Sequence, residues 1–264
     1  MRRGPWRIVC LTEETTETLY LLGAEERIVG ISGYTVRPPE ARRTKPKVSA
    51  FTSAKIDAIV DLRPDLVLAF SDLQAGIAAE LARAGLEVHL FNQRNVEGIL
   101  TMIRTLGRLV DEAARADRLA DGYAQRLAEI GRNVAMPRPR VYLEEWDDPL
   151  ITGIGWWSEL VQIAGGDDVF ATRARAAAAR DRIVTADAVK AAAPEVMFAS
   201  WCGKKVRPER IAARPGWSEL PAVRDGAIHA VASHLILQPG PAALTDGLDA
   251  LVEAIRAWQA RHRA

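Results

Sequence analysis

The stretch KIDAIVDLRPDLVLAF, Lys55–Phe70, returns in altered form as TADAVKAAAPEVMFAS, Thr185–Ser200. In each copy an acid opens a short amphipathic segment, Asp57 or Asp187, and a proline follows seven residues later, Pro64 or Pro194. A second acid then leads into an apolar run, which reads as helix, stop and buried strand. A helix–proline–acid–strand junction is common by itself, since proline stops the helix and the acid solvates the turn. Two further matches fall in the same order around it. LGAEE (22–26) pairs with AGGDD (164–168), and EVHLF (87–91) pairs with AIHAV (227–231). The reading is a chain of two duplicated lobes.

Working outward, the first lobe alternates RIVCL, TETLYLLG, IVGIS, the opening phrase, AGIAAELARAG and EVHLF. Short runs rich in Val, Ile and Leu, separated by helices that close at Gly, predict βα units around a mainly parallel sheet. From Val96 to Val134 the pattern is helical, with interruption expected only near Gly107, until Pro137 and Pro139 end it. RVYLEE then restarts the same grammar, which closes with a helix from about Pro241 to Arg261. The expected architecture is α/β, with two pseudo-symmetric lobes on mainly parallel sheets joined by one long rigid helix. The expected boundaries are 1–110 for the N-terminal lobe, 111–136 for the connecting helix and 137–264 for the C-terminal lobe.

Composition narrows the function. Across 264 residues, 35 Lys and Arg stand against 34 Asp and Glu, so a net charge of +1 gives no reason to expect nucleic acid or an anionic membrane surface. No apolar run approaches the roughly 18 residues of a membrane span. Arg2-Arg3 and the short run Ile8–Leu11, leading into Glu13-Glu14, do not form a secretory leader, so the chain as written is expected in the cytoplasm. Cys10 and Cys202 read as separate thiols.

Phosphate-loop, zinc-protease and nucleophile-elbow patterns are missing, and GIGWWS (153–158) has Ser158 and two tryptophans where a dinucleotide loop needs glycine. No catalytic residue and no catalytic cofactor is assigned. Ligands of open α/β sheets bind at the carboxyl ends of strands. There the chain places Tyr34, Phe51, Phe70, Trp146, Trp157, Trp201, Cys202 and His234, an aromatic set suited to a large planar ligand. Cys202 and His234 have the chemistry of axial metal ligands or of a nucleophile and its base, and the acidic stretch EEWDD (144–148) has that of a hard-cation site or a solvated turn.

RIVCLTEETTETLYLLGAEERIVGISGYTVRPPEAR, followed by PKVSAFTSAKIDAIVDLRPDLVLAF, resembles the substrate-binding proteins of metal-chelate ABC importers, above all the vitamin B12-binding branch, and the likeness spans nearly the whole chain. It implies a class III two-lobe binding protein, a monomer located in the periplasm. The bound ligand would be cobalamin or another metal chelate such as heme or an iron siderophore, held in the cleft between the lobes. By the same resemblance, Tyr34, Phe51 and Phe70 line the ligand, with Phe at two places where the B12 branch carries Trp. Asp57 and Asp187, one methylene shorter than the usual Glu, dock an ABC permease dimer. Asp181 stands near the place of a further ligand-facing Trp, and Trp201 is expected to replace it. Two other readings keep the sequence consistent: a cytoplasmic corrinoid or metal-chelate carrier or sensor without a transporter, and an enzyme using Cys202 and His234.

Overall fold

The computed structural model describes residues 4–262. The chain divides into two compact units, residues 1–93 with 97–123 and residues 94–96 with 124–264.

The first unit is built on strands β1 (Ile8–Cys10), β2 (Ile28–Ser32), β3 (Lys47–Ser49), β4 (Leu66–Phe70) and β5 (Val88–Phe91), in the order β3-β2-β1-β4-β5, with every pairing parallel. Helices α1 (Glu13–Leu21), α2 (Pro39–Thr44), α3 (Ile56–Asp61), α4 (Ala75–Arg83) and α5 (Val96–Leu109) connect and cover them. Val9, Leu11, Val67 and Ala69 of the sheet region pack with Ile59 of α3 and Leu81 of α4 in one buried cluster. Burial on both faces is why these strands appear in the sequence as continuous apolar runs.

Helix α6 (Ala113–Arg132) carries the chain from the first unit into the second. It is separate from α5, and the break lies at Val110–Glu112, where Asp111 takes a left-handed φ of 59°. The interruption expected near Gly107 is therefore displaced. Gly107 stays helical and serves a different purpose, because a Cβ there would meet the Ala116 Cβ at 2.2 Å. Its missing side chain lets α5 and α6 approach.

The second unit contains β6 (Arg140–Asp147), β7 (Leu150–Thr152), β8 (Asp167–Asp168), β9 (Val196–Ala199) and β10 (Ile228–Ala230). Its helices are α7 (Gly155–Ala164), α8 (Ala171–Ala174), α9 (Ala186–Ala192), α10 (Pro208–Ala212), α11 (Pro221–Arg224), α12 (Ser233–Ile236) and α13 (Leu248–His262). The order β10-β9-β6 is parallel, β8 adds in parallel to the start of β6, and β7 folds back antiparallel on its end. The path β8-β6-β9-β10 thus repeats β2-β1-β4-β5, and the two copies of the opening phrase, α3–β4 and α9–β9, occupy equivalent places. The final helix is entered through a π turn, Ala243–Gly247.

The duplication extends to a pair of caps that explain the proline–acid dipeptide. Asp65 Oδ2 accepts the backbone N–H groups of Trp6 and Arg7 at 2.8 and 3.0 Å, and Glu195 Oε2 accepts that of Arg140 at 2.9 Å. In return the Arg7 guanidinium donates to the Leu62 and Arg63 carbonyls, and Arg140 donates to the Ala193 carbonyl, at the ends of α3 and α9. Arg63 and Ala193 both sit left-handed, at φ 46° and 43°. Each acid closes the start of the adjacent strand, and each arginine satisfies helix-end carbonyls. The turn acid is a structural cap, which differs from the solvated turn expected. Asp65→Ala should cost about 1 kcal/mol of unfolding free energy in urea, the typical scale of a lost charged hydrogen bond near the surface.

Candidate functional site

In the first unit the carboxyl ends of the parallel strands present an apolar rim. Tyr34 and Val36, after β2, are 53% and 39% exposed, and Leu73, after β4, is 59% exposed. The loops after β2 and β4 thus each expose apolar groups at the sheet end where open α/β sheets bind ligands. Phe51, after β3, is half-buried and Phe70, the last residue of β4, is buried. Phe70 is therefore largely withdrawn from solvent, against the expectation that it lines the ligand, and Tyr34 is the most exposed ring of the three.

The loops that carry these groups are held from below. Gln74, fully buried, accepts the Phe70 N–H at 2.9 Å and donates to the Phe51 carbonyl at 2.9 Å. Ser71 adopts φ 63° in a buried turn, its hydroxyl accepting the Leu73 N–H, and a non-glycine residue there stores on the order of 1–3 kcal/mol of strain. On the other side Glu13 Oε1 accepts the Arg37 N–H at 2.8 Å, Glu17 pairs with the Arg37 guanidinium at 2.8 Å, and Arg42 donates to the carbonyls of Gly33 and Thr35. Tyr34 is thus an exposed ring on a fixed backbone. Such preorganisation limits the entropy lost when a ligand binds.

Burial of the first turn of α1 perturbs its acids. Desolvation pushes the Glu13 carboxyl up to about 8 and the Glu14 carboxyl up to about 7, each against the hydrogen bonds it accepts and with neighbouring Glu17 adding repulsion. Cys10, buried beside them, is raised to about 12, chiefly by desolvation. Gln74, Glu13 and Ser71 carry no motif. Only their place just beyond a strand end signals them.

In the second unit the expected acidic turn is not a turn. Strand β6 continues through Glu144, Glu145, Trp146 and Asp147 and makes a hairpin with β7, because Leu150–Thr152 supplies a pairing edge. Three of the four acids are also occupied. Glu144, with no exposed surface, binds Arg214 through two hydrogen bonds of 2.5 and 2.8 Å, and Glu145 binds buried Arg182 at 2.5 and 2.9 Å. Asp147 pairs with Lys204 at 2.5 Å. Desolvation raises the Glu144 carboxyl while Arg214 opposes that shift. With these three matched to bases, the exposed Asp148 alone is too few carboxylates for a hard-cation site. Among the described residues no group of three or more His, Cys, Asp or Glu is placed to hold a metal ion.

Trp157 corrects another expectation. It lies in α7 with no exposed surface, so it offers no face to a ligand; GIGWWS opens a core helix whose Trp156 donates to the Ile236 carbonyl at 2.7 Å. Trp201, at 4% exposure, belongs to the core cluster with Tyr142 and Trp217, and Trp146 packs partly buried against it. His234, expected on a loop, is half-buried in the first turn of α12. Cys202 is a free, exposed thiol whose sulfur is partly desolvated and faces Glu145, and both effects raise it above its ordinary value. A raised thiol is the opposite of an activated nucleophile.

Asp57 and Asp187 are exposed in the first turns of α3 and α9, where a carboxylate faces the positive helix end. Asp187 is held below its ordinary value by Lys190, 2.7 Å away.

Two α/β units of matching strand order, joined through a long helix and presenting strand-end loops, define the class III type of ligand-binding protein. The chain belongs to the periplasmic binding protein family, whose sequence pattern matches residues 8–233. It is 27% identical over 243 residues to a vitamin B12-binding protein of Vibrio parahaemolyticus, covering 90% of this chain and 85% of that one. The fold is shared with the periplasmic vitamin B12-binding protein of Vibrio cholerae, with a TM-score of 0.77, 23% identity, and 98% of this chain and 99% of that one covered. It is shared equally with a periplasmic heme-binding protein from Pseudomonas aeruginosa, with a TM-score of 0.81, 22% identity, and coverage of 95% and 92%.

Proposed function

We propose that this protein is a non-enzymatic carrier of a metal chelate, a corrinoid or a related macrocycle, taken up at the strand-end loops for ABC-type import. The observation that carries the reading is the exposed rim of Tyr34, Val36 and Leu73 on loops tied down by Gln74, Glu13 and Arg42. A broad apolar ligand binds such a rim by burial and stacking, with polar groups setting its orientation. Relatives that bind vitamin B12 or heme support the same chemistry. Asp57 and Asp187, one exposed carboxylate in the equivalent helix of each unit, serve as the permease contacts of a monomeric carrier, Asp187 exchanging Lys190 for a basic residue of the partner.

An absorption titration with cobalamin tests the role of the rim. Tyr34→Ala should weaken binding about tenfold, the scale of one lost aromatic stacking contact, with the unfolding midpoint unchanged because the ring is exposed. Equal affinity of the variant and the native protein removes Tyr34 from the site.

A further inference from the structure

An exposed lysine stands over two tryptophan rings of the second unit. Lys204 Nζ lies 5.0 Å from the Trp201 ring centroid and 5.4 Å from that of Trp146, and 2.5 Å from Asp147 Oδ2. Its side chain is 43% exposed, whereas that of Asp147 is 18% exposed. Lys204 follows β9 in the turn 201–204, at the carboxyl edge that β6, β8, β9 and β10 share through their parallel pairing. Neighbouring segments at that edge add the exposed Lys205 and Arg207 after β9 and the exposed Arg173 and Arg175 after β8. Exposed acids beside these segments are Asp148 after β6, Asp181 and Glu209, and Asp181 lies 3.9 Å from Arg180.

We propose that Lys204 is a specificity-determining residue that selects chelates bearing carboxylate side arms, turning from Asp147 to a ligand carboxylate while its ammonium stays over the two indole rings. The inference rests on the chelate-binding reading above and deepens it by naming the ligand's charge. Three features support it. The ammonium is already at the strand-end face, so no segment has to fold around the ligand. The lysine end of its pair with Asp147 is the exposed end, so a ligand carboxylate can reach the ammonium from solvent. The tryptophans hold the ammonium itself through cation–π contact, so the charge is kept at this face.

The test compares rings that differ only in their arms: dicyanocobyrinic acid, with carboxylates, against dicyanocobinamide, with amides, and hemin against its dimethyl ester. The native protein should bind the carboxylate form of at least one pair about tenfold or more tightly, with the preference shrinking as salt is added. Lys204→Gln should abolish the preference and leave amide or ester affinity unchanged; Lys204→Arg should retain it. Asp147→Asn, which removes the competing carboxylate, should strengthen carboxylate binding a few-fold. A structural role alone would make Lys204→Gln and Asp147→Asn weaken both forms alike, and that result overturns the proposal. Equal affinity for both forms in the native protein overturns it while leaving chelate binding intact. Binding of none of the four rings overturns this proposal, and the chelate-binding reading falls with it when cobalamin and a ferric siderophore fail to bind as well.

Discussion

Arg214→Ala should lower the unfolding free energy by about 3–5 kcal/mol, the largest single loss expected in the molecule, because it strands a carboxylate that has no exposed surface. Glu144 is matched by both guanidinium branches of Arg214, and that guanidinium also lies 4.6 Å from the Trp217 ring centroid. Removing it therefore takes away the compensating charge and a stacked contact at once. Protonation of Glu144, whose carboxyl burial already raises, limits the loss as pH falls. Replacing both partners, Glu144→Leu with Arg214→Met, should recover most of the stability, since a buried ion pair mainly offsets its own desolvation. Urea midpoints of the two variants measure this. A cost below about 1 kcal/mol for Arg214→Ala would show that Glu144 is hydrated or neutral in the native protein.

The second large effect is a pH dependence of stability. Glu13 and Glu14 have native carboxyls raised to about 8 and about 7 from an ordinary 4.5. Between 4.5 and those values the native state holds protons that the unfolded chain has released. Stability from these groups is therefore fully present below about 4.5, falls as pH rises, and levels off above about 8. For Glu13, nearly without exposed surface, the drop is on the order of a few kcal/mol across that window. Glu13→Gln keeps an acceptor for the Arg37 N–H and cannot ionise, so its urea midpoint at pH 8.5 should exceed that of the native protein, with the gap closing toward pH 5. A constant gap across pH would mean that Glu13 stays ionised at neutral pH.

Much of this fold is legible in the sequence because parallel strands buried on both faces write themselves as short apolar runs. The repeated phrase forms equivalent elements, since α3–β4 and α9–β9 occupy matching positions beside β1 and β6. What lies beyond local pattern is harder to read. Gly107 looks like a helix breaker until Ala116 is seen against it. The acidic run at Glu144–Asp147 looks like a turn until β7 pairs with it and bases as distant in sequence as Arg214 arrive to neutralise it. Aromatics are ambiguous for the same reason. Tyr34 and Trp157 both follow strand signals, yet the first is exposed on a braced loop and the second is sealed in a helix, a distinction made by packing. Gln74 and Lys204 have unremarkable local sequence, and their roles come entirely from what they touch.

Isothermal titration calorimetry of the intact protein against cobalamin, cobinamide, hemin and a ferric siderophore tests the central claim most directly. Chelate binding predicts saturable one-to-one binding of at least one of the four, with a negative heat-capacity change from apolar burial. Absence of heat and of any absorbance change with all four would contradict it.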